Sequence, residues 1–176
     1  ELEVIIPRSS KHHWKETKGI RFHLLRVNLF GNSNNPLLVF LTYVLRIVQT
    51  TSYFMKKKGS FIAYSSTNLF VDVIPIFIAH IFRKNLRWIA RVHHLTQHPL
   101  DRPGNILVNS LSFFIDHLTL LCIRHADTVI ALNPTLQKIL QKNGFANKSL
   151  YVLGVGINLF IIKKYVPKKI FTLAAS

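Results

Sequence analysis

FIAYSSTNLFVDVIPIFIAHIFRKNLRWIARVHH, residues 61–94, decides the fold of this chain. Its first six residues, 61–66, are mostly apolar and end in two serines, which is typical of a buried strand and the polar loop after it. An apolar segment of helix length follows at 69–82, and the run 87–93 predicts a second strand that ends at a histidine pair. A strand, a helix and a strand in this order predict a βαβ unit with parallel strands.

The same alternation extends in both directions along the chain. Each further strand is a short apolar run, and each further helix has apolar residues at intervals of three or four. Repeated βαβ units favour an α/β fold, a Rossmann-like parallel sheet with helices on both faces. The additional strands are predicted at 2–7, 21–27, 127–133 and 149–154, and the additional helices at 36–55, at 105–124 and from Pro134 to Gly144.

Charge is the second feature that narrows the function. The 176 residues include 23 Lys and Arg against 7 Asp and Glu, a formal net charge of +16. Such a chain attracts anionic lipid, nucleic acid or phosphorylated ligands. Signatures of RNA binding, with aromatic residues clustered on a strand, are missing, so nucleic acid ranks below a membrane surface. The single cysteine, Cys122, excludes an internal disulfide and a cysteine-rich metal site.

The helix predicted at 36–55 has a continuous apolar face, formed by Leu37, Phe40, Leu41, Val44, Leu45 and Val48. We expect this face to pack against the sheet. With basic flanks beside it, the helix also resembles a peripheral membrane anchor, which is the alternative. The long apolar run 61–82 contains Asp72 and a polar segment after its strand, so we expect no helix that spans a membrane.

Candidate site residues follow the predicted strands. Ligands of open α/β sheets bind at the carboxyl ends of the strands. Ser65 and Ser66 come at the end of one strand, His93 and His94 at the end of the next, and Asn133 after a third. This set is polar and neutral or basic, which suits hydroxyl and phosphate groups.

The histidine pair has three readings. Adjacent strand residues point to opposite sides, so His93 and His94 are a poor metal pair, and nearby ligands to complete a site are few. One ring packed in the core and the other exposed is the simplest alternative. The third reading is a site histidine that forms hydrogen bonds or transfers a proton near neutral pH.

Carboxylates are scarce, and the known phosphate-binding and nucleophile motifs are missing. Asp127 starts a strand at the edge opposite the candidate site, so we expect a structural role for it. Asp116 lies within a helix, where it forms a buried pair or faces solvent. Asp72 begins a helix near the candidate site, where it also interacts favourably with the helix dipole.

The order of these features resembles the N-terminal domain of GT-B glycosyltransferases of the family 4 type (glycosyl transferases group 1). The matching elements are a strand that ends in Val-x-His, an Arg-x-Ala-Asp-x-Val-Ile block, a Gly-Phe turn with a lysine, and a Gly-Ile-Asn hinge. Here they are residues 91–93, 124–133, 144–148 and 155–158. The resemblance covers about residues 1–160 and implies one half of a GT-B fold.

The resemblance implies roles for individual residues. His93 matches a histidine at the cleft between acceptor and donor and is the expected catalytic residue. Ser65, Ser66, His94 and Asn133 are expected to bind substrate. Gly156 and Asn158 match the hinge. Such enzymes move a sugar from a nucleotide-sugar donor to a lipid, glycan or small-molecule acceptor, commonly without a bound metal or other cofactor. Many work at the cytoplasmic face of the membrane, and retention or inversion at the sugar stays open.

The chain also departs from the family pattern. From the resemblance, we expect the chain to begin near the family's second strand, without the family's first strand and Gly-rich loop. We expect residues 1–158 to form the acceptor-side domain and 159–176 to form the hinge and the start of an absent donor domain. The chain alone is then expected to be an inactive fragment. The alternative is a non-catalytic basic α/β domain that binds an anionic membrane or another polyanion.

Overall fold

The computed structural model describes residues 2–7, 19–25, 35–145, 149–153 and 170–173. Seven strands and four α-helices alternate along the described chain. The strands are β1 Leu2–Pro7, β2 Ile20–Leu25, β3 Phe61–Ser65, β4 Leu86–Val92, β5 Thr128–Ala131, β6 Ser149–Val152 and β7 Ile170–Leu173. The helices are α1 Pro36–Lys56, α2 Phe70–Phe82, α3 Ile106–Ile123 and α4 Pro134–Leu140.

All described strand pairs are parallel and form one sheet in the order β2-β1-β7-β3-β4-β5-β6. The sheet consists of a pair, β1 with β2, and a run of four, β3 to β6. The strand β7 hydrogen-bonds to both parts and joins them. The predicted Rossmann-like α/β fold is confirmed.

The position of β7 differs from the predicted domain boundary. We expected residues 159–176 to lead into a second domain, but residues 170–173 lie inside the first sheet, between β1 and β3. In the common doubly wound order 3-2-1-4-5-6, this place belongs to the first strand. The strand β7 therefore occupies the position of the family's first strand, which the resemblance led us to expect to be missing. An unfilled position would leave the backbone groups of two strands unpaired.

The core lies between the sheet and the four described helices. Alternate residues of β4 are buried, namely Leu86, Trp88, Ala90 and Val92, as the period of two requires. They form one apolar cluster with Val73, Ile76 and Ala79 of α2, Phe54 of α1, and Ile123 of α3. All four described helices contribute residues to this cluster.

The apolar face of α1 does not pack as predicted, and the apolar stripe of α3 is also exposed. In α1, Leu37, Phe40 and Val48 are exposed, whereas Thr42 and Thr50 are buried. In α3, the outward stripe contains Leu107, Leu111, Phe114, Leu118 and Leu121, and the buried residues include Asn109 and Thr119. The expectation that the apolar face of α1 covers the sheet is therefore wrong.

Local hydrogen bonds explain why polar residues face the core. The Thr42 hydroxyl donates to the carbonyl oxygen of Leu38, and that of Thr119 donates to Ile115, each within its own helix. The Asn109 amide donates to the carbonyl oxygen of Arg102 at 3.2 Å. A buried polar group that is hydrogen-bonded avoids most of the cost of its burial. Small polar side chains also let the helices pack close to their neighbours.

Candidate functional site

Three strand ends bring the candidate residues to one edge of the sheet. The strands β3, β4 and β5 are adjacent and parallel, so their carboxyl ends lie side by side. Ser65 ends β3, His93 follows β4, and Asn133 lies two residues after β5. The sequence predicted that these residues lie at a common edge of the sheet, and the order of the strands places them at that edge.

His93 is held by the loop after β3. Its Nε2 atom lies 2.7 Å from the carbonyl oxygen of Ser66. A carbonyl oxygen only accepts, so Nε2 carries the proton and the neutral ring leaves Nδ1 as an acceptor. Among the described residues, no hydrogen bond to Nδ1 is found. The ring is half-buried, and it can therefore accept a proton or a hydrogen bond from a ligand at this edge.

Asn68 fixes the backbone around the histidine pair. Its Oδ1 accepts from the His93 amide at 3.1 Å, and its Nδ2 donates to the carbonyl oxygen of His94 at 3.0 Å. The same Nδ2 donates to Oδ1 of Asp116 at 3.1 Å. The second oxygen of Asp116 accepts from the amide of Thr96 at 3.0 Å. These four bonds clamp residues 93–96 against the start of α2 and the middle of α3.

The other predicted site residues have different surroundings. Ser65 is completely buried, and its hydroxyl accepts from the Trp88 indole at 3.2 Å. It therefore lies in the core and offers no surface to a ligand. The carbonyl oxygen of Ser66 positions His93. The ring of His94 is exposed, and its backbone is held by Asn68. Asn133 is exposed, and its side chain accepts from the amide of Leu136 at 2.7 Å as the N-cap of α4.

Asp72 is a buried carboxylate close to this edge. It lies in the first turn of α2 and accepts a hydrogen bond from the Thr67 hydroxyl. Burial raises the pKa of Asp72 to about 6, although the Thr67 hydrogen bond and the charge of Arg46 act in the opposite direction. The favourable position at a helix N-terminus does not offset the loss of solvent around the carboxylate.

Asp127 lies at the opposite edge and is structural, as predicted. One oxygen accepts from the backbone amide of Trp88 at 2.8 Å, and the other pairs with Arg87 at 3.0 Å. These bonds fix β4 to the start of β5. Gly156 and Asn158, the predicted hinge residues, lie outside the described residues.

The described residues at the histidine edge form no cluster of metal ligands. In the described part of the chain, no three His, Cys, Asp or Glu side chains lie close enough to hold a metal ion. Two cavities lie elsewhere. One, of ≈ 530 Å³, lies between β2 and α1, and the other, of ≈ 600 Å³, lies between α1, α2 and α3.

Sequence reasoning missed the pairing of Asn68 with Asp116. Asn68 was one of several polar residues after β3, and Asp116 had two open readings. The available signal was a single carboxylate in an otherwise uncharged apolar helix, because such a group is costly to bury without a partner. The partner itself is 48 residues away, a distance that periodicity does not bridge.

Comparisons with known proteins found no match. No family model, no curated protein and no solved structure matches this chain.

Proposed function

We propose that this chain is the acceptor-side part of a glycosyltransferase that moves a sugar from a nucleotide-sugar donor to a lipid, glycan or small-molecule acceptor. The donor would bind mainly to a second domain, so the chain alone would be inactive. The motif order supports the proposal, since residues 91–93 and 124–133 follow the family pattern in sequence. The parallel sheet with a ligand edge at its carboxyl ends is compatible with it.

The observation that carries the proposal is the state of His93. Its Nε2 is occupied by the Ser66 carbonyl oxygen, which orients the ring and leaves Nδ1 as the acceptor. A histidine oriented in this way can accept a hydrogen bond from a sugar or acceptor hydroxyl. A positioned general base contributes about 10²–10⁴ in rate. The proposal needs no metal or other cofactor for this step.

Sugar transfer tests the proposal directly. A protein that contains this chain and a donor domain is incubated with radiolabelled uridine and guanosine diphosphate sugars, with membrane lipids as acceptors. We expect labelled glycolipid or glycan, and no product from the 176-residue chain alone. Transfer by a variant that lacks residues 61–133 would contradict the assignment of the acceptor site to these strands.

A second candidate function is a non-catalytic basic α/β domain that binds an anionic membrane or another polyanion. Its specific support is the net charge of +16 and the exposed apolar faces of α1 and α3. A protein of this kind would bind vesicles but would not depend on His93. Loss of sugar transfer on His93→Ala, with vesicle binding unchanged, would favour the transferase.

A further inference from the structure

The outer surface of the helical layer is apolar over two crossover helices, α1 and α3, which lie on either side of α2. On α1 the outward residues include Leu37, which is 71% exposed, and Phe40 and Val48. On α3 they include Leu107, 76% exposed, and Phe114, 65% exposed. Large contiguous apolar patches on a protein surface mark interaction sites. Exposure here follows the helical repeat, so the patch is the full outer face of both helices.

A groove connects the two faces. The helix α2 packs between α1 and α3, and a cavity of ≈ 600 Å³ lies over it. The walls are Val39, Phe40 and Tyr43 from α1 and Ile115, Leu118 and Thr119 from α3, with Phe70 and Ile74 of α2 as the floor. The hydroxyl of Thr119 already donates to Ile115. The groove is thus a hydrocarbon surface of the kind that an acyl chain can cover.

Most exposed charges around this layer are positive, with Asp101 before α3 as an exposed carboxylate. Helix α1 has no acidic residue, and the carboxylates of α2 and α3, Asp72 and Asp116, are turned inward to hydrogen-bond partners. Exposed cations follow the C-terminal ends of the three helices: Lys56, Lys58, Lys84 and Arg124. In a parallel sheet these ends lie at the same edge, so the cations border the apolar layer. This combination is complementary to the anionic headgroups and acyl region of a bilayer.

We propose that the outer faces of α1 and α3 dock this protein in the plane of an anionic lipid bilayer. The apolar stripes enter the boundary between headgroups and acyl chains, the groove over α2 receives acyl chain segments, and the cations contact lipid phosphates. Both helices are also long and apolar enough to cross a membrane by length and composition. Their packing against α2 and the sheet places them in one layer, which favours docking in the plane of the membrane.

Vesicle co-sedimentation tests this surface with the full chain. Mixed vesicles of phosphatidylglycerol and phosphatidylcholine are compared with phosphatidylcholine alone. The quadruple variant Leu37→Gln, Val48→Gln, Leu107→Gln, Phe114→Gln should bind the mixed vesicles on the order of 100-fold more weakly, since four exposed apolar side chains lose their burial. Tyr151→Gln, an exposed substitution on β6, is the matched control and should bind like the unaltered chain.

A charge variant tests the second part of the proposal. Lys56→Glu with Lys58→Glu should weaken binding to the mixed vesicles by about 30-fold or more, in line with the contribution of two basic residues near an anionic surface. Binding to phosphatidylcholine alone should change little. Circular dichroism of each variant shows that the fold is retained, and the charge variant leaves every apolar contact in place.

Three results would overturn the proposal. Unchanged vesicle binding by the folded quadruple variant would exclude the helical face. Light scattering that shows a dimer which the same variant dissociates, without lipid binding, would assign the face to a second copy. Retention in the membrane after an alkaline carbonate wash would indicate inserted helices. Vesicle binding does not require sugar transfer, so the outcome is separate from that of the proposed function.

Discussion

At the scale of single residues, one amide side chain organises the candidate site. Asn68 is buried and bonds to the backbone of both histidines and to Asp116. It thereby fixes the loop after β4 and holds His93 toward Ser66. A site built in this way depends on residues that do not themselves contact a ligand.

Asn68→Ala should lower the free energy of unfolding by about 2–3 kcal/mol, because two buried backbone groups and the Asp116 carboxylate lose a partner. Urea denaturation followed by circular dichroism measures the change. Ser66→Ala is the control, because it keeps the carbonyl oxygen that His93 contacts and should shift stability by less than about 1 kcal/mol. A neutral Asn68→Ala variant would show that the clamp is not formed in solution.

Asp72 makes stability depend on pH. Its folded-state pKa, about 6, lies above 3.8, the ordinary pKa of an aspartate side chain, because the carboxylate is buried. The folded state therefore holds the proton more tightly than the unfolded state, and this stabilisation is full below about pH 4 and is lost as the pH rises through about 6.

Asp72→Asn should remove the loss of stability that accompanies the rise in pH. The free energy of unfolding at pH 7 should therefore rise by up to about 3 kcal/mol. The Asn side chain can still accept the hydrogen bond from the Thr67 hydroxyl. Denaturation between pH 4 and 7 measures the change in stability. The exposed carboxylate variant Asp101→Asn should keep the slope of the unaltered protein. An identical slope for Asp72→Asn would assign the pH dependence to other groups.

At the scale of elements, variants of Asn133, the N-cap of α4, can distinguish a structural role of this residue from a role in ligand binding. Asn133 accepts from the Leu136 amide at the start of a helix of seven residues. Asn133→Ala should cost about 1 kcal/mol, and Asn133→Ser should restore most of it, because serine is also a good N-cap. Thermal unfolding of both variants checks this. If Asn133→Ser is stable but loses sugar transfer, the amide group contacts substrate in addition to capping the helix.

The elements themselves were largely predictable, but the direction of two helix faces was not. Strand periodicity and turn residues located β3, α2 and β4 within two residues of their bounds. An apolar stripe usually faces the core. That rule placed the stripe of α1 on the wrong side, and the exposed stripe of α3 departs from the same rule. Thr42 and Thr119 face the core instead, because their hydroxyls bond within their own helices. Periodicity predicts which residues form the apolar stripe, and only tertiary packing determines whether that stripe faces the core or the solvent.

The candidate site was also predictable only in part. The carboxyl-edge rule brought His93 and Ser66 together, and their contact follows from the adjacency of β3 and β4. Ser65 is the counterexample. One residue earlier in the strand, its side chain points to the core face and meets Trp88. Strand bounds are uncertain by one or two residues, and one residue exchanges the two faces of a sheet.

At the scale of the whole molecule, β7 joins the two parts of the sheet. Three of its residues pair with β1 on one side, and all four pair with β3 on the other. Without this strand, β1 and β3 would each present an unpaired edge in the centre of the sheet. The integrity of the fold therefore depends on a segment far in sequence from both neighbours.

Removal of residues 170–176 should lower the free energy of unfolding by about 3 kcal/mol or more, since two rows of backbone hydrogen bonds are lost. Urea denaturation and size-exclusion chromatography detect the loss and any association through the new edges. Removal of residues 174–176 alone is the control and should leave both unchanged. An unaltered urea midpoint after the longer truncation would show that β7 is not an integral strand.

The central claim concerns His93, and paired alanine variants test it most directly. In a protein that contains this chain and a donor domain, His93→Ala should lower the turnover number by about 10²–10⁴. His94→Ala, which keeps the backbone carbonyl that Asn68 contacts, should retain turnover within a few-fold, and both variants should unfold at similar urea concentrations. Equal losses of turnover, or a loss of stability that accounts for the His93→Ala effect, would contradict the assignment of His93 to the reacting site.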